Sequence, residues 1–142
     1  MVLFKYLTWT TRLTSTDMEE QRFSYYYKDR LTNLFMMEYL ELAIRYHIKV
    51  SEVYTYDIKL HNFSQFNKEF GWKKGDEFLV HFARFINNLY ENSVVFRVEG
   101  DGFMILSEIP NESIERDVTD YINNEKTMIT CSIIENKIKV KT

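Results

Sequence analysis

The sequence predicts an α/β protein, an α+β sandwich in which helices pack on a mixed or mostly antiparallel sheet of about three to five strands. Three features carry this prediction. Residues 50–60 alternate polar and apolar side chains, as a half-buried strand does. Residues 94–98 and 103–107 are two β-prone runs joined by a short glycine-containing turn, which indicates a hairpin. Residues 76–89 carry apolar side chains at helical spacing, which is typical of an amphipathic helix.

The amino-terminal part of the chain predicts two helices. Residues 1–7 are apolar but too short and too polar-flanked for a signal peptide, so they are interpreted as the start of a segment cut from a larger protein or as a short packing strand. Thr16 or Asp17 is expected to cap a helix over residues 21–28. Asp29 is then expected to cap a second helix, because apolar residues follow it at helical spacing.

The remaining elements follow from periodicity and turn residues. The strand over 50–60 precedes a short helix over 62–70, and residues 71–75 are expected to form a loop before Asp76 caps the next helix. The turn of the predicted hairpin, residues 99–102, places an acid between two glycines. The last predicted elements are a helix and two strands, at residues 113–123, 127–134 and 137–140.

Composition excludes several classes of function. The chain has 142 residues with 18 basic and 21 acidic side chains, so no strongly basic face for nucleic acid is expected. Its longest apolar runs are far shorter than the roughly 20 residues of a membrane-spanning helix, and no membrane insertion is expected. With one cysteine, Cys131, and three scattered histidines, neither a disulfide nor a zinc cluster is expected. These features are typical of a cytoplasmic domain.

Four segments, in order, resemble motifs of one known family. Residues 29–34 read DRLTNL and resemble D-x-L-T-G-L, and residues 63–79 read FSQFNKEFGWKKGDEFL and resemble F-K-x-I-N-D-x-x-G-H-x-x-G-D-x-x-L. Residues 97–103 read RVEGDGF where the family has R-Y-G-G-D-E-F, and residues 130–133 read TCSI and resemble T-V-S-I-G. The ordered set resembles the GGDEF domains, the diguanylate cyclases.

The resemblance implies a palm-like nucleotidyl cyclase fold. It divides the chain into a lead segment and helix, residues 1–28, and a degenerate GGDEF domain, residues 29–142. In active members of this family two domains face each other, each with one GTP, and join them into cyclic di-GMP. That chemistry requires carboxylates on the first strand and in the signature hairpin, which hold two divalent cations.

The sequence departs from the family at the positions of these carboxylates. The resemblance places the first-strand metal aspartate at Lys59 and its companion acid at His61. In the signature, Glu99 replaces the first glycine and Gly102 replaces the second acid. Asp101 remains as the one candidate metal ligand, and a weak one. Lys59 and Asp101 are expected to form an ion pair of roughly 4 Å in place of the metal.

Other family features are also missing. The R-x-x-D product-inhibition motif would fall on residues 90–93, which read YENS. The family's carboxy-terminal helix and strand have no counterpart before Thr142.

The residues that the resemblance assigns to guanine recognition are retained. Asn67 would hydrogen-bond the guanine edge through its amide, and Asp76 would accept from the ring N–H and the amino group. The ordinary structural roles are a helix cap for Asp76 and a helix-end residue for Asn67. Lys59, Gly100 and Asp101 complete the predicted nucleotide-binding set, with Lys59 as a point charge for phosphate.

The sequence therefore predicts a catalytically inactive GGDEF-like domain that acts as a regulatory or interaction module, binds GTP weakly and requires no cofactor. Expected partners are GTP or another guanine nucleotide, a second copy in a homodimer, or another signalling domain. The alternative is an active cyclase with an altered Mg²⁺ site built from Asp101, Asp57 and Glu99. A third reading is a purely structural dimerisation domain.

Overall fold

The computed structural model describes residues 13–140, which form helices packed on both faces of one sheet. The helices are α1 Leu13–Tyr27, α2 Leu40–His47, α3 Phe63–Phe70, α4 Trp72–Asn87 and α5 Ile114–Asn124, with a 3₁₀ turn at Met37–Tyr39. The strands are β1 Phe35–Met36, β2 Glu52–His61, β3 Ser93–Val98, β4 Gly102–Ser107 and β5 Thr130–Lys139.

The sheet has the strand order β1-β3-β4-β2-β5. The short β1 is parallel to β3, and every other neighbouring pair is antiparallel. The predicted fold class, a mostly antiparallel sheet with helices packed against it, is confirmed. The predicted strand over 50–60, the hairpin, and the helices over 62–70 and 113–123 are confirmed within a few residues at their ends.

Two apolar cores cover the two faces of the sheet. Alternate residues of β2 point in opposite directions. Tyr56, Ile58 and Leu60 are fully buried beneath α3, α4 and α5. On the other face, α1, the 3₁₀ turn and α2 cover Val53 and the neighbouring parts of β3 and β4.

The second face is left uncovered toward one end of β2. Asp57, Lys59 and His61 of β2 are exposed there, together with Ser132 and Ile134 of β5, which lie directly opposite Lys59 and Asp57. We call these five residues the open face. It is continuous with the signature hairpin, because Lys59 also pairs with Gly102 at the start of β4.

The prediction that Asp29 caps a helix is wrong. The Asp29 carboxylate accepts hydrogen bonds from the backbone N–H of Thr32, at 2.8 Å, and from its hydroxyl, at 2.7 Å, and so closes a local turn. Asn33 then takes a left-handed conformation with φ of 62°, which a helix does not allow. The chain continues through β1 and the 3₁₀ turn, and a helix begins only at Leu40.

Two further predicted boundaries are wrong. Helix α1 begins at Leu13, so Thr16 and Asp17 lie inside it rather than at its cap. Helix α4 begins at Trp72, so most of the predicted loop is helical and Asp76 lies within the helix. The backbone break between α3 and α4 falls on Gly71 alone, whose φ is 92°.

The two predicted carboxy-terminal strands are one strand. Strand β5 pairs with β2 without interruption, from His61 opposite Thr130 to Glu52 opposite Lys139. The continuous partner strand keeps the chain extended through the polar residues at 135–137, where the apolar pattern predicts a break.

The expectation for residues 1–7 lies outside the described residues. Within residues 13–140, no helix combines the length and apolar character needed to cross a membrane.

Candidate functional site

The signature turn between β3 and β4 is held by one arginine. Gly100 has a φ of 64°, and the N–H of Gly102 donates to the carbonyl of Glu99 at 3.2 Å. The guanidinium of Arg97 donates to the Gly100 carbonyl through Nε at 3.1 Å and through Nη2 at 2.7 Å. Its Nη1 reaches Asp29 Oδ2 at 3.0 Å. The turn is therefore tied to the segment that follows α1.

The contacts of Asp29 favour the ionised form of its carboxylate. Burial by itself would raise the pKa of Asp29, but the hydrogen bonds from Thr32 and the charge and hydrogen bond of Arg97 outweigh it, so the pKa lies below its ordinary value. The Arg97 side chain is 14% exposed and that of Asp29 is 22% exposed, so water screens this ion pair less than a surface pair. The pairing of the 29–34 motif with the signature motif was not predicted from the sequence.

The structure brings Lys59, Gly102 and Asp101 together. Lys59 and Gly102 are direct cross-strand partners, and the N–H of Leu60 donates to the backbone carbonyl of Asp101 at 3.0 Å. The two departures from the family pattern, a lysine and a glycine in place of acids, therefore lie side by side.

The predicted ion pair between Lys59 and Asp101 is wrong. The ion pairs among the described residues, with a limit of 4.0 Å between nitrogen and oxygen, do not include one between these two side chains. Lys59 is exposed on the open face, and Asp101 lies in the turn beyond the end of the ladder with partial access to water. Solvation of both charges in such a position removes most of the advantage of a contact.

Two further side chains of the open face, those of Asp57 and His61, contact residues of β5. Asp57 Oδ2 accepts a hydrogen bond from Asn136 Nδ2 at 3.1 Å, and His61 Nε2 lies 2.9 Å from the hydroxyl oxygen of Ser132. Across residues 13–140, no three His, Cys, Asp or Glu side chains are grouped so that they could hold a metal ion. The residues present do not fit the divalent cations that the resemblance implies.

Asn67 is the buried polar residue of the site. Its side chain is on α3, only 7% of the residue is exposed, and its Oδ1 has no hydrogen-bond partner. This oxygen lies against Gly75 of α4, where a Cβ atom would overlap it. Asp76, the next residue along α4, is exposed. An amide oxygen and a carboxylate are both acceptors, and Asp76 is open to a ligand that donates N–H groups, whereas the Asn67 amide meets such a ligand only if it turns away from Gly75.

The requirement for glycine at position 75 was not predicted, because it depends on how closely α3 packs on α4. Gly75→Ala adds a Cβ where Asn67 Oδ1 lies, and the amide must move out of a buried position. We expect a loss of stability of about 1–2 kcal/mol, after subtraction of the roughly 1 kcal/mol by which alanine favours a helix over glycine. In an Asn67→Ala background the same change is expected to stabilise the protein, by about 0.5–1 kcal/mol.

A urea-denaturation double-mutant cycle measures both effects. Equal effects of Gly75→Ala in the two backgrounds would show that the stability effect of this substitution does not depend on the Asn67 side chain.

Comparison with known proteins identifies the family. Residues 26–142 match the family model described as "Diguanylate cyclase, GGDEF domain". The match covers most of the chain, and the chain belongs to the GGDEF family; the resemblance inferred from the four motifs is confirmed. A search of curated proteins gave no significant match.

Solved structures show the same fold. The coiled coil and GGDEF domain of DgcB from Caulobacter crescentus, in complex with c-di-GMP, is 17% identical, with a TM-score of 0.69, over 87% of this chain and 75% of that one. The S helix-GGDEF-EAL structure of Vibrio cholerae LapD, bound to c-di-GMP, is 12% identical with a TM-score of 0.71, over 90% of this chain and 33% of that one.

Pseudomonas aeruginosa diguanylate cyclase SiaD, in complex with its activator SiaC, is 18% identical with a TM-score of 0.63, over 90% of this chain and 57% of that one. The roles assigned to Asn67, Asp76, Lys59, Gly100 and Asp101, and the domain division at residue 29, stay predictions.

Proposed function

We propose that this GGDEF domain is catalytically inactive and acts as a regulatory or protein-interaction module in cyclic-dinucleotide signalling, with weak binding of guanine nucleotide. The observation that carries the proposal is the cross-strand pair of Lys59 and Gly102. By the family resemblance, acids belong at these two positions. Directly opposed residues have Cβ atoms about 4.5–5.5 Å apart, so two acids there would lie close enough to share a cation.

Replacement of this acid pair removes carboxylate ligands for the divalent cations that the reaction needs. Phosphoryl-transfer chemistry of this kind depends on cations that neutralise the phosphates and activate the attacking oxygen. The Lys59 ammonium repels a cation from the same position, and Asp101 alone leaves one carboxylate where several oxygen ligands are required. Asp57 is held by Asn136, which leaves the alternative metal site of Asp57, Glu99 and Asp101 without support.

The guanine-binding part of the proposal rests on Asn67. A buried polar atom without a partner costs about 1–3 kcal/mol, and a ligand N–H would satisfy Asn67 Oδ1 once the amide turned from Gly75 toward the ligand. A purine with adjacent N–H and amino groups would donate to Asn67 Oδ1 and to Asp76. Lys59 would attract a phosphate, whereas Glu99 in the exposed turn adds negative charge nearby, so we expect the affinity to be weak.

Calorimetric titration with GTP in the absence of divalent metal tests this binding. We expect a dissociation constant on the order of 0.1–1 mM for GTP and a weaker response to ATP. Asn67→Ala should weaken GTP binding about tenfold, the effect of one lost hydrogen-bonding group. Asn87→Ala, an exposed asparagine on α4, is the matched control and should leave binding unchanged. Equal heats for GTP and ATP, or no effect of Asn67→Ala, would refute guanine recognition at this site.

Membership of the family also gives a precedent for a protein partner. SiaD was solved in complex with its activator SiaC. A domain of the same fold would retain surfaces for such a contact, and this supports a protein partner for the domain without bearing on catalysis.

A further inference from the structure

Strand β5 lies at the edge of the sheet and offers a long unpaired backbone. It is bonded to β2 along its whole length, and within residues 13–140 no strand pairs with its other side. Its sequence, TCSIIENKIK, contains neither proline nor glycine, and its register with β2 is continuous. Edge strands of this kind are templates for pairing with another chain unless a structural feature blocks them.

The same strand exposes two large apolar side chains. Ile134 is 62% exposed and Ile138 is 44% exposed. Both lie on the face of the sheet that carries Asp57, because Ile134 is opposite Asp57 and Ile138 is opposite Val53. Isoleucines at an open edge favour burial against a partner strand.

The order of residues around Asn136 makes β5 complementary to itself. In an antiparallel pair of two copies centred on Asn136, Ile134 of one copy lies opposite Ile138 of the other. Glu135 likewise lies opposite Lys137, and the two-fold axis generates each pairing twice. Residues with this relation share a face of the sheet, so the isoleucines meet on one face and the opposite charges on the other.

We propose that a second copy of this chain pairs its β5 antiparallel to the first, about a two-fold axis at Asn136, and joins the two five-stranded sheets into one. The occupant is a second copy, because the complementarity of charge and apolar surface is that of the strand with itself. Asp57, Lys59 and His61 lie on β2 and do not form this edge, so the inference is independent of guanine-nucleotide binding and goes beyond the proposed function.

Disulfide trapping at the two-fold axis tests the register. In a Cys131→Ser background, Asn136→Cys places two cysteines opposite each other with Cα atoms about 4.5–5.5 Å apart, within the range of a disulfide. We expect mild oxidation to give a covalent dimer. Thr130→Cys is the matched control on the same strand, and its two copies would lie about 40 Å apart, so no dimer is expected. Equal cross-linking of both variants, or none with Asn136→Cys, would overturn the proposal.

Charge exchange tests the complementarity in solution. Sedimentation equilibrium of the full 142-residue chain should show a reversible dimer. Glu135→Lys places a lysine opposite Lys137 of the other copy, and the two-fold axis repeats this repulsion. The variant should therefore weaken dimerisation by about tenfold or more. Adding Lys137→Glu restores opposite charges and should return the dissociation constant to within about threefold, although Lys137 also loses its exposed contact with Glu52 at 3.3 Å.

Circular dichroism establishes that each variant remains folded. A chain that is monomeric at about 100 μM, as it would be if its own residues outside 13–140 covered the edge, would overturn the proposal. So would a dimer that is insensitive to both charge variants, because it would use another surface.

Discussion

Phe82→Ala is expected to lower the free energy of unfolding by about 3–5 kcal/mol, the usual cost of removing a large aromatic side chain from a packed core. Phe82 is completely buried, and its ring joins three elements of the fold. Its centroid lies 5.1 Å from that of Phe103 in β4 and 5.8 Å from that of Tyr121 in α5, with Phe82 itself on α4. The residue therefore holds the helix that carries Gly75 and Asp76 onto the strand that follows the signature turn.

The control for Phe82→Ala is Trp72→Ala on the same helix. Trp72 is 75% exposed, so its removal should change stability by no more than about 0.5 kcal/mol. Urea denaturation measures both variants. A loss of less than about 1 kcal/mol for Phe82→Ala would mean that the core relaxes around the cavity and that the packing of α4 on β4 does not depend on this ring.

Arg97→Met is expected to cost about 2–3 kcal/mol of stability, because the substitution removes hydrogen bonds to the partly buried Asp29 carboxylate and to the Gly100 carbonyl of the exposed turn. Among the described residues, it leaves the Asp29 carboxylate with the two hydrogen bonds from Thr32 alone. Arg45→Met is the matched control: Arg45 makes a long pair with Glu41 at 3.9 Å, and both side chains are mostly exposed, so the expected effect is near zero. Comparable losses for both variants would contradict the account of the signature turn.

The same ion pair predicts a pH dependence. Because the pKa of Asp29 in the folded protein lies below its ordinary value of 3.8, the folded state favours the ionised form. Its contribution to stability is fully present above that ordinary value and is lost as the pH falls through the folded pKa. In Arg97→Met this loss should be smaller, since the pKa of Asp29 returns toward the ordinary value. The measurement is the free energy of unfolding of the wild type and of Arg97→Met as the pH is lowered. Parallel curves would show that the pKa of Asp29 does not depend on Arg97.

Much of the fold was predictable because β2, the hairpin and α4 show their burial directly in the periodicity of the sequence. The segment that starts at Asp29 was predicted wrongly, since its apolar residues have helical spacing while the Asp29–Thr32 hydrogen bonds and the left-handed Asn33 stop a helix. Strand β5 was divided in two because an exposed edge strand does not need an apolar alternation.

The candidate site was predictable where it depends on strand register and not where it depends on packing. The proximity of Lys59 to Gly102 follows from the alignment of β2 with β4. The clearance that Gly75 provides for Asn67 follows from the approach of two helices, and single-sequence periodicity does not report it. The expected ion pair of Lys59 and Asp101 failed because both side chains are accessible to water, which the resemblance alone did not indicate.

The central claim is that this GGDEF domain does not make cyclic di-GMP, and incubation of the wild-type chain with GTP and either Mg²⁺ or Mn²⁺ tests it most directly. Nucleotide products are separated by chromatography and compared with a reaction without protein. The account predicts no cyclic di-GMP above that control with either metal, because Lys59 and Gly102 stand where the reaction needs acids. Clear formation of cyclic di-GMP that Asp101→Ala abolishes would contradict it, since the site would then be catalytic.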